Sequence, residues 1–594
     1  MRLRARIRRE LRFLEGLRRT LSRVNSISPD SLNLACDDFE KAVDQFKDRP
    51  AITFEGVTLS YRELDQLANR FAHWAKDQNL RRGATVALVM PNRIEYAAIW
   101  LGLSKVGVVT ALINNQLTGP ALAHCLASSA ATHILTDDET LDAVEAVRGS
   151  LKHPVLWTFG PTTGDHRSLT NALRSVSTLR PDRALRAGLV AKDNALFIFT
   201  SGTTGLPKAA RISHARAQLY MRGFAGSTAA EESDRIYITL PLYHATGGLC
   251  GLGAAWMNGA MVVLKKSFHA SQFWDDIRAH DCTMFVYIGE LCRYLVNQPE
   301  RPNDREHKIR LIFGNGLRAD VWEQMLGRFG VGDVLEFYGA TEGNVSLFNF
   351  DGKVGAVGRV PKYLRKKFNV RICRFDVDTE ELVRGPNGLC QETSPDEVGE
   401  CLGKIADSAR FSYTGYADKA ASERKIVRDV FERGDAYFRT GDLMRRDRDQ
   451  YLYFVDRIGD TFRWKGENVS TNEVAAALSA FPGVKEVAVY GVKVPHAEGR
   501  GGMALLVVDN DFDIAALGDY VDRTLPLYAR PLFVRLAAQI ETTGTFKYRK
   551  VDLVEAGYDP TRTKAPTYFR SPGKGYVKVI KTTLDKLEEG SYRL

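Results

Sequence analysis

The sequence holds eight cysteines, yet it has no C-x-x-C pair and no cysteine and histidine cluster at zinc-ligand spacing. That excludes the common structural zinc sites. Cys36, Cys125, Cys250, Cys282, Cys292, Cys373, Cys390 and Cys401 are therefore expected to be reduced thiols packed as small hydrophobes, as in a cytoplasmic protein. No uncharged apolar run reaches the roughly 18 residues that a membrane-crossing helix needs, and the N-terminus lacks the apolar stretch of a secretory leader. Low-complexity tracts and short repeats are missing too, which argues against fibrous, solenoid and disordered classes. No Ser-His-Asp or Cys-His motif is recognisable, so covalent hydrolysis has no candidate nucleophile.

What is present is an ordinary globular composition, 44% apolar and 26% charged, on a chain of 594 residues. A chain of that length exceeds what one hydrophobic core can organise, and at least two folding units are expected. Short apolar strands alternate with amphipathic helices from about residue 51, with strands at 84–90, 195–200, 235–240, 284–288 and 309–313. The alternation predicts layered, mostly parallel sheets covered by helices. A strand-rich and turn-rich stretch follows over 358–455, and a compact α+β region after residue 456. The expected division is a helix over 1–30, a large α/β domain over 31–457 and a small C-terminal domain over 458–594.

The formal net charge of +10 is concentrated at one end. Residues 1–23 carry nine arginines against two glutamates, a net of +7, so only +3 belongs to the rest. At roughly 100° per residue, Leu3, Ile7, Leu11, Leu14, Leu17 and Leu21 share one arc of a helix while arginines fill most of the remainder. Such a helix suits either an anionic membrane surface or the protein's own surface. No recognition-module pattern accompanies the arginines, which argues against nucleic acid.

The strongest local signal is Thr200-Ser201-Gly202-Thr203-Thr204-Gly205-Leu206-Pro207-Lys208, directly after the apolar run Leu196-Phe197-Ile198-Phe199. Glycines let the backbone approach an anion, hydroxyls donate to phosphate oxygens, and the lysine supplies charge. The spacing is not that of a Walker A loop. A second segment, Phe337-Tyr338-Gly339-Ala340-Thr341-Glu342-Gly343-Asn344, offers a ring to stack on a purine, and a hydroxyl and a carboxylate for Mg²⁺ and phosphate. A third, Tyr437-Phe438-Arg439-Thr440-Gly441-Asp442-Leu443, places an aspartate where it could accept from two ribose hydroxyls. A fourth, Gly544-Thr545-Phe546-Lys547-Tyr548-Arg549, presents one lysine near the C-terminus.

In this order, and together with Arg457 and the run 460–468, these segments resemble the motif set of the adenylate-forming superfamily of acyl-CoA synthetases, luciferases and peptide-synthetase adenylation domains. The resemblance covers roughly residues 40–594. The segments 285–295, Gly314-Asn315-Gly316-Leu317-Arg318 and 456–471 are similar to those of the fatty acid transport protein and very-long-chain acyl-CoA synthetase branch. The resemblance implies a large domain of layered α/β sheets with a β-rich subdomain and a small mobile C-terminal domain. It implies a long-chain or very-long-chain fatty acid–CoA ligase that uses ATP, Mg²⁺ and coenzyme A through an acyl-adenylate. Some members of that branch take steroid acids. A ligase that passes its adenylate to a carrier protein, and a non-catalytic fatty acid carrier at the membrane, are the alternatives.

Position by position, the resemblance assigns Thr200, Ser201, Gly202, Thr203, Thr204, Gly205 and Lys208 to the ATP phosphates, and Gly314, Asn315, Gly316 and Tyr338 to the adenine pocket. Thr341 and Glu342 are assigned to phosphate and Mg²⁺, Asp442 and Arg457 to the ribose, and Lys547 to adenylation. His244 falls at the edge of the acyl and thioester site, and Gly466 on the pantetheine tunnel. Two positions after Arg457 the superfamily usually has a charged hinge residue, but this sequence has Gly459 followed by Asp460. Glycine absorbs a large φ/ψ change without a Cβ penalty, so either residue is a candidate hinge.

Overall fold

The computed structural model describes residues 2–160, 166–200, 206–377, 379–464, 467–497, 499–541, 548, 550–563 and 565–592. By packing, the chain divides into two units. One comprises Met1–Arg359, Gly403–Val427 and Ala436–Phe438, the other Val360–Leu402, Arg428–Asp435 and Arg439–Leu594.

The basic N-terminal segment forms helix α1 (Arg2–Val24), but among the described side chains of the leucine arc it half-buries only Leu17 and Leu21. Phe13, Gly16, Thr20 and Val24, spaced three or four apart, pack inward, whereas Ile7, Leu11 and Leu14 are 50%, 62% and 39% exposed. The reason is steric. A Cβ on Gly16 would lie 2.4 Å from Cδ1 of Phe350, and α1 crosses helix α2 (His214–Thr228) so closely that a Cβ on Gly226 would lie 2.8 Å from the Arg19 carbonyl oxygen. A leucine seam would hold these backbones apart; small residues let them meet. The inner face is also pinned by charge: the Arg359 guanidinium lies 4.5 Å from the Phe13 ring centroid and 2.9 Å from Glu10, and Arg12 pairs with Asp333.

Two sheets carry the rest of the first unit. A seven-stranded sheet is parallel until its last strand, where β1 (Asn194–Thr200) turns back antiparallel into β2 (Lys208–Ser213). An eight-stranded sheet has β3 (Met284–Ile288), β4 (Leu311–Asn315) and β5 (Val334–Gly339) side by side and parallel. Helix α3 (Gly289–Val296) leaves the end of β3. These strands are buried and read as near-continuous apolar runs, as parallel strands covered on both faces must. The strands predicted at 84–90 and 284–288 are Thr85–Val89 and Met284–Ile288.

In the second unit, residues 442–446 of β6 (Ala436–Arg446) pair antiparallel with β7 (Tyr451–Arg457) in the β-rich sheet. Helix α4 (Thr471–Ser479) follows, capped by the Ser470 hydroxyl accepting from the Glu473 amide. The C-terminal part folds on a five-stranded sheet around Val489, Leu505, Leu506 and Phe533, flanked by α5 (Lys550–Ala556).

Candidate active site

In the first unit, the hairpin β1–β2 sets Thr200 directly across from Lys208. Ser201, Gly202, Thr203, Thr204 and Gly205 lie outside the described residues. The ammonium of Lys208 sits 5.9 Å from the ring centroid of Tyr416, whose backbone bridges to Ala210 on β2. The Tyr416 hydroxyl donates to Glu342 Oε1 at 2.8 Å. Burial, and then the nearby Glu342 carboxylate, push the pKa of that hydroxyl far up, so it stays a donor. One ring thus gathers a threonine, a lysine and a glutamate from two of the predicted motifs.

The loop carrying Thr341 and Glu342 is held from beneath by α2. Arg216 donates to the Gly343 carbonyl, and to the Ala340 carbonyl at 3.1 Å. Tyr220, one turn on, donates to the same Ala340 oxygen at 3.2 Å. While its carbonyls are engaged by α2, the loop's Glu342 side chain meets Tyr416.

Gly314 and Asn315 end β4, Gly316 opens the turn that follows, and Tyr338 lies on β5. A Cβ on Gly314 would sit 2.1 Å from the Tyr287 carbonyl oxygen, and Gly316 has φ +82°, so both positions need glycine. Glu336, 2% exposed on β5, accepts the amides of Gly316 and Leu317 at 2.5 and 3.1 Å and the Tyr287 hydroxyl at 2.5 Å. Burial raises its pKa to about 8. Oδ1 of Asn315 is shielded from solvent and has no hydrogen-bond partner among the described residues. His244 is half-buried beside Tyr243, ring centroids 4.6 Å apart, just before the wide-wound turn Thr246–Gly251.

In the second unit, Asp442 on β6 faces Arg457 on β7 in register, and Oδ1 lies 3.4 Å from the Arg457 Nε. Gly459 has φ +93° with open space where a Cβ would stand, whereas Asp460 is engaged by Lys550 at 3.2 Å. Lys550 also donates to the Thr471 hydroxyl at 3.0 Å, and Thr471 donates in turn to the buried Asp456. Gly466 and Lys547 lie outside the described residues. Within their own units, then, Thr200, Lys208 and Glu342 come together around Tyr416, Gly314 and Gly316 around Glu336, and Asp442 with Arg457.

Sequence reasoning passed over Tyr416, Arg216, Tyr220, Tyr287 and Glu336. Three of these left a trace: Glu336 is the one charge inside the apolar run Val334-Leu335-Glu336-Phe337, and Arg216 and Tyr220 stand at i, i+4 on the helix after the β1–β2 hairpin. Tyr416 left none, because its partners are remote in the chain.

The pattern of the AMP-binding enzymes matches residues 39–400, and that of the AMP-binding enzyme C-terminal domain matches residues 473–547. The mouse long-chain fatty acid transport protein 6 is 40% identical over 91% of this chain and 88% of its own. The rat long-chain fatty acid transport protein 2 is 42% identical over 88% and 85%. This chain belongs to the AMP-binding enzymes, in the branch of the long-chain fatty acid transport proteins. Its fold is accordingly that of the adenylate-forming enzymes. The ATP-bound MatB structure from Rhodopseudomonas palustris superposes with a TM-score of 0.74 at 24% identity, over 89% of this chain and all of that one. A Mycobacterium tuberculosis fatty acyl CoA synthetase gives 0.61 at 24% identity over 89% and 98%.

Proposed function

We propose that this adenylate-forming enzyme is an ATP-dependent long-chain or very-long-chain fatty acid–CoA ligase. The observation that carries the reading is the cluster around Tyr416, where a hydroxyl, an ammonium and a carboxylate are gathered as a triphosphate and its counterion require. The names of the relatives support a long acyl chain, and the orphan Asn315 oxygen suits the amino group of adenine.

The first half-reaction must bring a carboxylate against the α-phosphate of ATP, anion against anion, so it depends on positioning and neutralisation. Among the described residues no group of three or more His, Cys, Asp or Glu forms a ready-made metal cage. A single carboxylate with substrate phosphates and water is nonetheless what Mg²⁺ commonly takes. Glu342 would hold it, and the ion would draw charge from the triphosphate. Lys547 would bridge the carboxylate and the α-phosphate as pyrophosphate leaves, while Asp442 and Arg457 hold the ribose. In the second half-reaction the coenzyme A thiol attacks the acyl carbonyl of the adenylate and AMP leaves. That step needs Lys547 withdrawn and the Gly466 loop brought in, with the edge of the acyl site at His244. Gly459 is the pivot we propose, because its backbone is already in the left-handed region and Asp460 is tied to Lys550.

A screen of pyrophosphate release across medium-chain to very-long-chain fatty acids and steroid acids tests the substrate. The expected result is release that rises toward the long chains and depends on ATP. A preference for steroid acids, or acyl transfer to a carrier protein in place of coenzyme A, would replace this reading with its alternatives.

For α1 the partner we propose is an anionic membrane surface. Ile7, Leu11 and Leu14 are left bare by the inner seam, with Arg8 and Arg18 exposed beside them. Each arginine near such a surface contributes about 1 kcal/mol and each apolar side chain adds its own burial. Changing Ile7, Leu11 and Leu14 together to serine should lower binding to phosphatidylserine vesicles about tenfold or more while sparing turnover of a soluble acid. Unaltered vesicle binding would reject the surface. Removing the whole helix is a poorer test, since it would also uncover Phe350 and the seam on α2.

A further inference from the structure

Two branch-specific segments and the strand that precedes the Phe337–Asn344 motif meet at one carboxyl group. Tyr287 comes from β3, Gly316 and Leu317 from the turn after β4, and Glu336 from β5. The contact is close on every side: a Cβ on Gly289, the first residue of α3, would lie 1.8 Å from the Gly316 carbonyl oxygen. Burying a carboxyl in a parallel sheet is costly unless its oxygens are fully used. Here one oxygen takes two backbone amides and the other a phenol, and those amides belong to the two residues that directly follow Asn315, whose side-chain oxygen is the orphan. An apolar residue at 336 would be cheaper to bury, but it would leave the amides of a glycine turn without an acceptor.

We infer that Glu336, braced by Tyr287, is a positioning residue for purine recognition: it holds the Gly316–Leu317 turn so that the Asn315 oxygen is presented to the amino group of adenine. The inference rests on the assignment of residues 314–316 to the adenine pocket, and it adds a device that sets base selectivity from behind that pocket. A site built to pair a hydrogen-bonding group discriminates strongly against an analogue lacking it, and loses discrimination when the acceptor wanders. Inosine monophosphate carries a carbonyl oxygen where adenosine monophosphate carries the amine, so it would face the Asn315 oxygen acceptor to acceptor.

The test is binding of AMP and of IMP to the full-length protein by calorimetry, alongside ATP-dependent pyrophosphate exchange. Glu336→Ala is expected to weaken AMP binding about tenfold and to cut the preference for AMP over IMP about fivefold, with the KM for the acid unchanged. Glu336→Gln, whose amide oxygen still accepts from the turn, should stay within about threefold of the parent. Tyr287→Phe removes one hydroxyl and should fall between them; it reads the same ratio if Glu336→Ala does not fold. An unchanged AMP-to-IMP ratio in a folded variant, or acid and nucleotide affinities falling together, would overturn the inference. Protein that binds AMP selectively but exchanges no pyrophosphate with any acid would sink the ligase reading while leaving the role of Glu336 supported. Protein that binds neither nucleotide would end both.

Discussion

Replacing Lys547 with alanine should lower ATP-dependent adenylation by about a thousandfold or more while leaving thioester formation from supplied acyl-adenylate largely intact. The asymmetry follows from where charge develops. In the first half-reaction two anions close on each other, and a lone ammonium between them is the group whose contribution grows as the new bond forms. In the second the nucleophile is a thiol with an ordinary pKa near 8.5 that meets an already activated carbonyl, and no cation is required at that point. A lysine fixed there would obstruct the incoming thiol, which favours a place on the part of the chain beyond the proposed Gly459 pivot. The measurements are pyrophosphate exchange for the first step and coenzyme A-dependent release of AMP from synthetic acyl-adenylate for the second. Equal losses in both would dismiss the two-position scheme.

The second large effect is expected at Glu342. Glu342→Gln keeps the shape and the acceptor for the Tyr416 hydroxyl but removes the charge that Mg²⁺ needs, and pyrophosphate exchange should fall by about a hundredfold with a raised Mg²⁺ requirement. Tyr416→Phe removes only one neutral donor and should cost about threefold to tenfold, with the Mg²⁺ requirement little changed. The order of the two is the informative part. Were the tyrosine variant the worse, the ring under Lys208 would be the working element and the carboxylate its support.

Much of this arrangement was legible in the residues themselves. Apolar runs before the phosphate loop and before Gly314 gave the strands, because buried parallel strands allow little else, and the order of short motifs pointed to the family. What stayed hidden shares a cause: it depends on which faces meet. The leucine arc of the first helix has the strongest periodicity in the segment, yet the body takes the face of Phe13, Gly16 and Thr20, since close approach of two helix backbones rewards absent side chains over large ones. A moment summed over a helix registers apolar weight and cannot register a glycine seam. Likewise Glu336 meets Tyr287 from 49 positions away and Tyr416 meets Glu342 from 74, beyond the reach of any local pattern.

The seat of the first helix has a temporal consequence. Glu10 waits for Arg359, 349 positions downstream, before its ion pair can form. At ordinary rates of synthesis that is on the order of twenty seconds to a minute during which the Glu10 end of the helix lacks this partner, although the crossing at Gly226 can form sooner. The Phe13 end of its inner face is meanwhile open to a chaperone or a bilayer, and it closes only once Phe350 and Arg359 have left the ribosome.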